Sequence, residues 1–191
     1  VAIVFAVTGV SRASALVTDI KSGYFDRLLM TPISRVALLL GLMIADLALV
    51  ITLSIPVLLL GLFVGVHFAT GYVGMLVFLI MSGLWGLAFT GFPYAIALKT
   101  GNPAAVNSSF LLFFPFSFLT TSFLPKEALS GWLATASSYN PVTYLLDGLR
   151  AVISTGWDWA ALSKAFTAII VILTLSFLFA FTALRGRVSR R

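Results

Sequence analysis

Apolar positions run in long blocks along this 191-residue chain, and the polar ones collect in a few short breaks. Residues 36–63, 72–98, 104–124 and 162–184 each match or exceed the ~20 residues that a helix needs to cross a ~30 Å hydrocarbon core. The blocks therefore predict four complete membrane spans. The first carries Asp46 as its only charge and contains Pro56; a short VGVHFATG turn leads to the second. Residues 1–10 are also apolar, but about ten residues before Arg12 are too few to cross. Residues 1–17 read as the end of a span, with the chain starting inside a helix and at least half a span missing upstream. They do not read as a signal peptide, because no basic region precedes them and a charged loop stands where cleavage would occur.

The break at 18–35 contains SGYFDRLLMTPISR. Tyr24, Phe25, Leu28 and Leu29 recur at i, i+1, i+4 and i+5, while Asp26 and Arg27 point elsewhere, which predicts a short amphipathic helix. Pro32 disfavours helical geometry at Thr31 and ends it. The Thr31-Pro32 pair also reads as the N-cap and first position of the next helix. On spacing alone two readings stand: a dedicated docking helix, or an ordinary loop with a snorkelling Arg35.

Residues 125–161 are neither a span nor a polar loop. They hold two moderately apolar stretches of a length that suits short re-entrant or interfacial helices. Asn140-Pro141 repeats the cap signature of Asn102-Pro103, and a helix from Pro141 to about Ile153 is expected. On it Asp147 and Arg150 stand i, i+3, close enough to pair. Tyr144, Leu145, Leu146, Leu149 and Val152 would leave a large apolar surface in water, which favours a re-entrant outer cap over a solvated helix.

Composition agrees with the pattern. Hydrophobic residues make up 60% and charged residues 9% of the chain, and the mean hydropathy is +1.10, values outside the range of a soluble domain. The fold class expected is an all-α, polytopic membrane bundle. Cysteine is absent and His67 is the lone histidine, so no metal site or thiol chemistry is indicated.

Basic residues orient the spans. Arg12, Lys21, Arg27 and Arg35 share one loop, Lys99 sits in the turn after the second full block, and Arg185, Arg187, Arg190 and Arg191 follow the last; all fall on one side if each block crosses once. Lys126, Arg150 and Lys164 lie opposite, mixed with Glu127, Asp147 and Asp158. The positive-inside rule makes the first set cytoplasmic, including the tail 185–191, in a multi-pass protein of the cell membrane. The net charge of +6 is then an orientation signal and a headgroup contact rather than a nucleic-acid site. Trp132, Trp157 and Trp159 form an interfacial belt on the outer side.

Candidate chemistry is sparse. No G-x-x-x-x-G-K-[ST] phosphate loop occurs and no catalytic set can be assembled, so the chain is not read as an enzyme by itself. Asp46 lies about eleven residues past Arg35, hence ~16 Å along a helix and inside the hydrocarbon. It could contact a cationic substrate or relay protons, or it could hydrogen-bond between helices to fix packing; both readings stay open. The aromatic run Phe110, Phe113, Phe114, Phe116, Phe118 and Phe123 makes an apolar stripe interrupted at Pro115. It packs or faces lipid, or else it walls a translocation path. Asp46, Phe113, Phe114 and Phe116 are the candidates for such a path.

The ordered segments DIKSGYFDRLLMTPISRVALLLG, ALKTGNPAAVN, FPFSFLTTSFLPKEALSGWL and NPVTYLLDGLRA resemble the motifs of the ABC-2 permease family, most closely its daunorubicin-resistance type of exporter subunit. The resemblance covers about Thr18 to Val152. It departs at Ser130, where members often carry Pro before the Gly-Trp-Leu of the outer loop. What it implies is a six-span permease that pairs into a dimer and binds two separate ATPase subunits, which carry the ATP and Mg; this chain itself needs no cofactor. Gly23, Tyr24, Phe25, Asp26, Arg27, Leu28, Leu29 and Pro32 would form the coupling helix and its exit. Asn140, Pro141, Tyr144, Asp147 and Arg150 would belong to an outer lid. The function expected is export of a hydrophobic or amphipathic substrate such as a drug, lipid or glycan-like molecule. A secondary transporter or channel using Asp46 for ion coupling is the rival, and a membrane scaffold is a third reading.

Overall fold

Backbone amides and carbonyls in hydrocarbon can be satisfied only by one another, so uninterrupted apolar blocks fold as helices. The computed structural model describes residues 2–109, 111, 119–120 and 131–189, and every regular element among the described residues is helical. The order is α1 (Ala2–Lys21), α2 (Tyr24–Leu29), α3 (Arg35–Phe63), α4 (Gly71–Thr100), α5 (Pro103–Ser108), α6 (Trp132–Tyr139) and α7 (Pro141–Arg150). A π-helical turn (Ala151–Thr155) and α8 (Trp159–Ser189) complete it. Among the described residues three helices are long and apolar enough to cross a membrane, through Val36–Phe63, Gly71–Thr100 and Trp159–Arg187. The protein is a polytopic helical bundle. Of the block 104–124, only residues 104–109, 111, 119 and 120 are described, and Phe113, Phe114 and Phe116 lie outside the described residues.

α4 sits at the centre, packed against α1, α3 and α8. Small residues let it approach its neighbours closely: a Cβ added at Gly91 would stand 2.6 Å from the Ser176 backbone on α8. Two apolar cores follow along the bundle. One joins Leu16, Val17 and Ile20 of α1 to Phe25, Leu39, Tyr94, Leu98 and Leu184. The other joins Val50, Trp85, Leu145, Leu149, Leu162 and Ile169 at the opposite end. The first core lies at the end that carries Lys21, Lys99 and Arg187, here the basic end; Arg187 Nη1 donates to the Leu98 carbonyl at the end of α4.

Two local expectations change. Arg12 lies inside α1, which stays helical to Lys21, rather than in a charged loop. Asp19 and Lys21 do not break the ladder, since neither carries a helix-breaking backbone. Thr31 does not cap α3: Ser34 does, accepting from Ala37 N at 3.2 Å, and its backbone is extended while the helix begins at Arg35. Thr31 instead closes α2, its hydroxyl donating to the Leu28 carbonyl at 2.5 Å. Ser is the stronger cap, and Pro32 sits in the bend between the two helices, where Ile33 N donates to the Thr31 carbonyl at 2.7 Å. The other two cap signatures hold, with Asn102 accepting from Ala104 N at 2.9 Å and Asn140 from Val142 N at 3.0 Å.

Candidate functional site

Three groups of side chains carry the chemistry of this bundle. The first is at the basic end. Gly23, at φ 76°, takes a left-handed turn that swings α2 off the end of α1. This turn drives Phe25 into the first core, where it is 2% exposed, and leaves Tyr24, Arg27, Met30 and Ile33 facing outward. Leu28 and Asp26 are half-buried, Pro32 is exposed, and the Leu29 side chain lies outside the described residues. The apolar face expected for α2 is thus divided: Phe25 anchors the helix while Tyr24 stays on the surface. The i, i+1 spacing of the two residues separates them by about 100°, enough to place one inward and one outward.

The second group lies within the bundle. Arg12 Nε of α1 donates to Asp46 Oδ1 of α3 at 3.0 Å, and Tyr94 Oη of α4 donates to Asp46 Oδ2 at 2.5 Å. Both carboxylate oxygens therefore have donors, from two different helices. Asp46 is 2% exposed, whereas the Arg12 side chain is 41% exposed, so the carboxylate is sealed and the guanidinium opens outward. Asp46 is brought within reach of α1 because Arg12 is ten residues into that helix rather than in a loop. Pairing a buried carboxylate with a cation and a hydroxyl removes most of the cost of holding it in hydrocarbon. The arrangement locks three helices together at one level, an inter-helix role that reading Asp46 alone left open. Sequence reasoning missed Arg12 and Tyr94 as its partners, and their only signal was a charge and a phenol within otherwise apolar stretches.

The third group is at the opposite end. α7 packs its Val142, Leu145 and Leu149 face against α4 and α8, and Gly148 permits the close approach: a Cβ there would stand 2.7 Å from the Ala165 methyl. The π-helical turn after α7 is fastened to the α3–α4 turn by Thr70 Oγ1 donating to the Val152 carbonyl at 2.7 Å and Ala69 N to the Ile153 carbonyl at 2.9 Å. Arg150 Nη1 lies 3.8 Å from Asp147 Oδ1, the expected i, i+3 pair. Asn140 joins α6 to α7, its Nδ2 donating to the Leu119 carbonyl at 2.9 Å. Tyr144 Oη donates to the Ser138 carbonyl at 2.5 Å.

Between α7 and α8 two cavities open side by side. One, of about 410 Å³, is lined by Tyr144, Asp147, Arg150, Asp158 and Lys164. The other, of about 500 Å³, is lined by Tyr139, Tyr144, Lys164, Ala168, Val171 and Ile172. Pro141, Tyr144, Asp147 and Arg150, expected to act together, are brought to these cavities. Asp158, just before α8, and Lys164 within it join them, unforeseen because the sequence separates them from α7. Among the described residues no cluster of His, Asp or Glu could hold a metal.

The family model described as "ABC-2 type transporter" matches residues 1–154. The chain is 24% identical over 142 residues to "Daunorubicin resistance ABC transporter permease protein DrrB1" of Streptomyces coeruleorubidus, a match covering 74% of this chain and 50% of that protein. The chain thus spans about half the length of the curated relative it matches. No solved structure matches it. With more than half of its residues matched to the family, and an all-helical bundle of membrane-crossing length, the chain belongs to the ABC-2 type transporter family.

Proposed function

We propose that this protein is the membrane subunit of an ATP-driven exporter, forming the path for a hydrophobic or amphipathic substrate while separate ATPase subunits hydrolyse the ATP. The observation that carries the reading is the family match over residues 1–154, joined to a relative named as a drug-resistance ABC permease. The form of α2 supports it. A six-residue helix anchored by one buried phenylalanine, with Tyr24, Arg27, Met30 and Ile33 exposed beside it, is a rigid knob suited to receive a partner. The wide excess of basic residues at this end supports a cytoplasmic placement, with the C-terminus on the same side.

Movement of α2 would be passed to α1 through the Gly23 turn and to α3 through residues 30–34. The Arg12–Asp46–Tyr94 link then makes α1, α3 and α4 respond together, because a charge-assisted network resists separation inside hydrocarbon. Asp46, with both oxygens engaged, supports this transmitting role better than ion coupling. A second permease copy completes the pathway. The test is cargo uptake by inverted membrane vesicles holding the full-length protein and its co-expressed ATPase: uptake that follows ATP addition is expected, and uptake driven by an ion gradient without ATP would overturn the reading.

A further inference from the structure

The two cavities between α7 and α8 share Tyr144 and Lys164 in their linings, and side by side they make a groove with a charged half and a more apolar half. The polar half alternates charge: Asp147 and Asp158 against Arg150 and Lys164. Its level in the membrane is marked by the start of α8, where Trp157, just before the helix, and Trp159, its first residue, stack with ring centroids 5.7 Å apart and flank Asp158 in sequence. Indole rings settle at the headgroup boundary, so the polar half lies at that depth. The apolar half continues along one face of α8, from Lys164 through Ala168 to Val171 and Ile172, at i, i+4, i+7 and i+8. Eight residues of helix carry it ~12 Å deeper into the hydrocarbon.

A groove with charges of both signs at the headgroup level and an apolar slot beneath it has the chemistry of one kind of molecule. We propose that it binds a phospholipid with a zwitterionic phosphoethanolamine headgroup. The primary ammonium donates to Asp147 and Asp158, the phosphate accepts from Arg150 and Lys164, and one acyl chain lies against Ala168, Val171 and Ile172. Asp158 can serve both purposes, since the two cap bonds at the start of α8, from Ala160 N and Ala161 N, both go to its Oδ1. A choline headgroup offers no N–H to the carboxylates, and a purely anionic headgroup meets two carboxylates with nothing to give them. The groove is therefore selective for the amine as well as the phosphate.

Native mass spectrometry of the full-length protein, released from nanodiscs holding equal parts phosphatidylethanolamine, phosphatidylcholine and phosphatidylglycerol with identical chains, reads this out. Phosphatidylethanolamine should be retained about fivefold or more over the other two, as expected for paired charge-assisted hydrogen bonds at a half-exposed site. Asp158→Asn keeps the helix cap while removing the charge, and together with Asp147→Asn it should abolish the preference for the amine and move retention toward phosphatidylglycerol. Lys164→Gln with Arg150→Gln should lower retention of all phospholipids, and Ala168→Trp should do so by filling the apolar slot. Retention in wild-type proportion to the disc, enrichment of phosphatidylglycerol in the wild type, or enrichment of the ethanolamine lipid that survives all three changes would each overturn the proposal. Lipid retention needs no ATPase, so this result is separable from the test of exporter function.

Discussion

Arg12 and Asp46 stand thirty-four positions apart and meet inside the bundle, Nε to Oδ1 at 3.0 Å, joining α1 to α3. The pair is asymmetric, sealed at the carboxylate and open at the guanidinium. Replacing Asp46 with alanine strands two donors and is expected to cost about 2–4 kcal/mol, below the full cost of a completely buried pair because Arg12 reaches outward. Exchanging the partners, Arg12→Asp with Asp46→Arg, should recover part of that loss. Thermal unfolding in detergent checks it, and a swapped protein no more stable than either single variant would contradict a specific pairing.

Tyr94→Phe removes one hydroxyl and leaves the ring in its core. The lost hydrogen bond to a carboxylate predicts a cost of about 1.5–3 kcal/mol. Because Tyr94 and Arg12 serve the same carboxylate, the double variant should lose less or more than the sum of the singles by at least about 0.5 kcal/mol. Strict additivity in a double-mutant cycle would show that the three side chains do not act as one unit.

The reassigned cap of α3 separates two nearby residues. Ser34→Ala should destabilise by about 1 kcal/mol, the usual value for a lost N-cap. Thr31→Ala should cost less, since its hydroxyl only closes the end of α2. Equal effects, or a larger one at Thr31, would restore the simpler expectation drawn from the Thr31-Pro32 pair.

The helical class and the long apolar helices were legible because hydrophobic block length is a one-dimensional signal, read directly from Val36 to Phe63 and from Tyr72 to Leu98. Caps at Asn102 and Asn140 were legible for the same reason, since an Asx-Pro pair acts within its own turn. What escaped was everything set by contact between distant elements. Arg12 looked like the start of a loop because a charge ten residues into a span is costly until Asp46 supplies its partner. Phe25 looked like one of four residues on a single apolar face, and its inward direction escaped because periodicity gives a face and not where it points. Asp158 and Lys164 joined Asp147 and Arg150 only once α8 folded back along α7.

Orientation is testable because the chain has no cysteine, so single introduced thiols report alone. Lys99→Cys and Gly186→Cys, both at exposed positions of the basic end, should react with an impermeant maleimide only after the cells are opened. Trp159→Cys, exposed at the opposite end, should react in intact cells. The reverse pattern would invert the bundle and remove α2 from the reach of a cytoplasmic partner.

Recovery of an ATPase by the tagged full-length protein, co-expressed with its neighbouring genes, probes the exporter reading at its root. The wild type should bring down the ATPase in stoichiometric amount, and Tyr24→Ala with Arg27→Glu should reduce that recovery about tenfold while the protein stays inserted and folded, the loss expected of a small surface anchor. Phe25→Ala should reduce it as well, but together with stability, by about 3 kcal/mol, because that ring holds α2 in place. A wild-type protein that elutes folded and free of any ATPase, or one whose ATPase stays bound through the Tyr24 and Arg27 changes, would contradict a motor acting through α2.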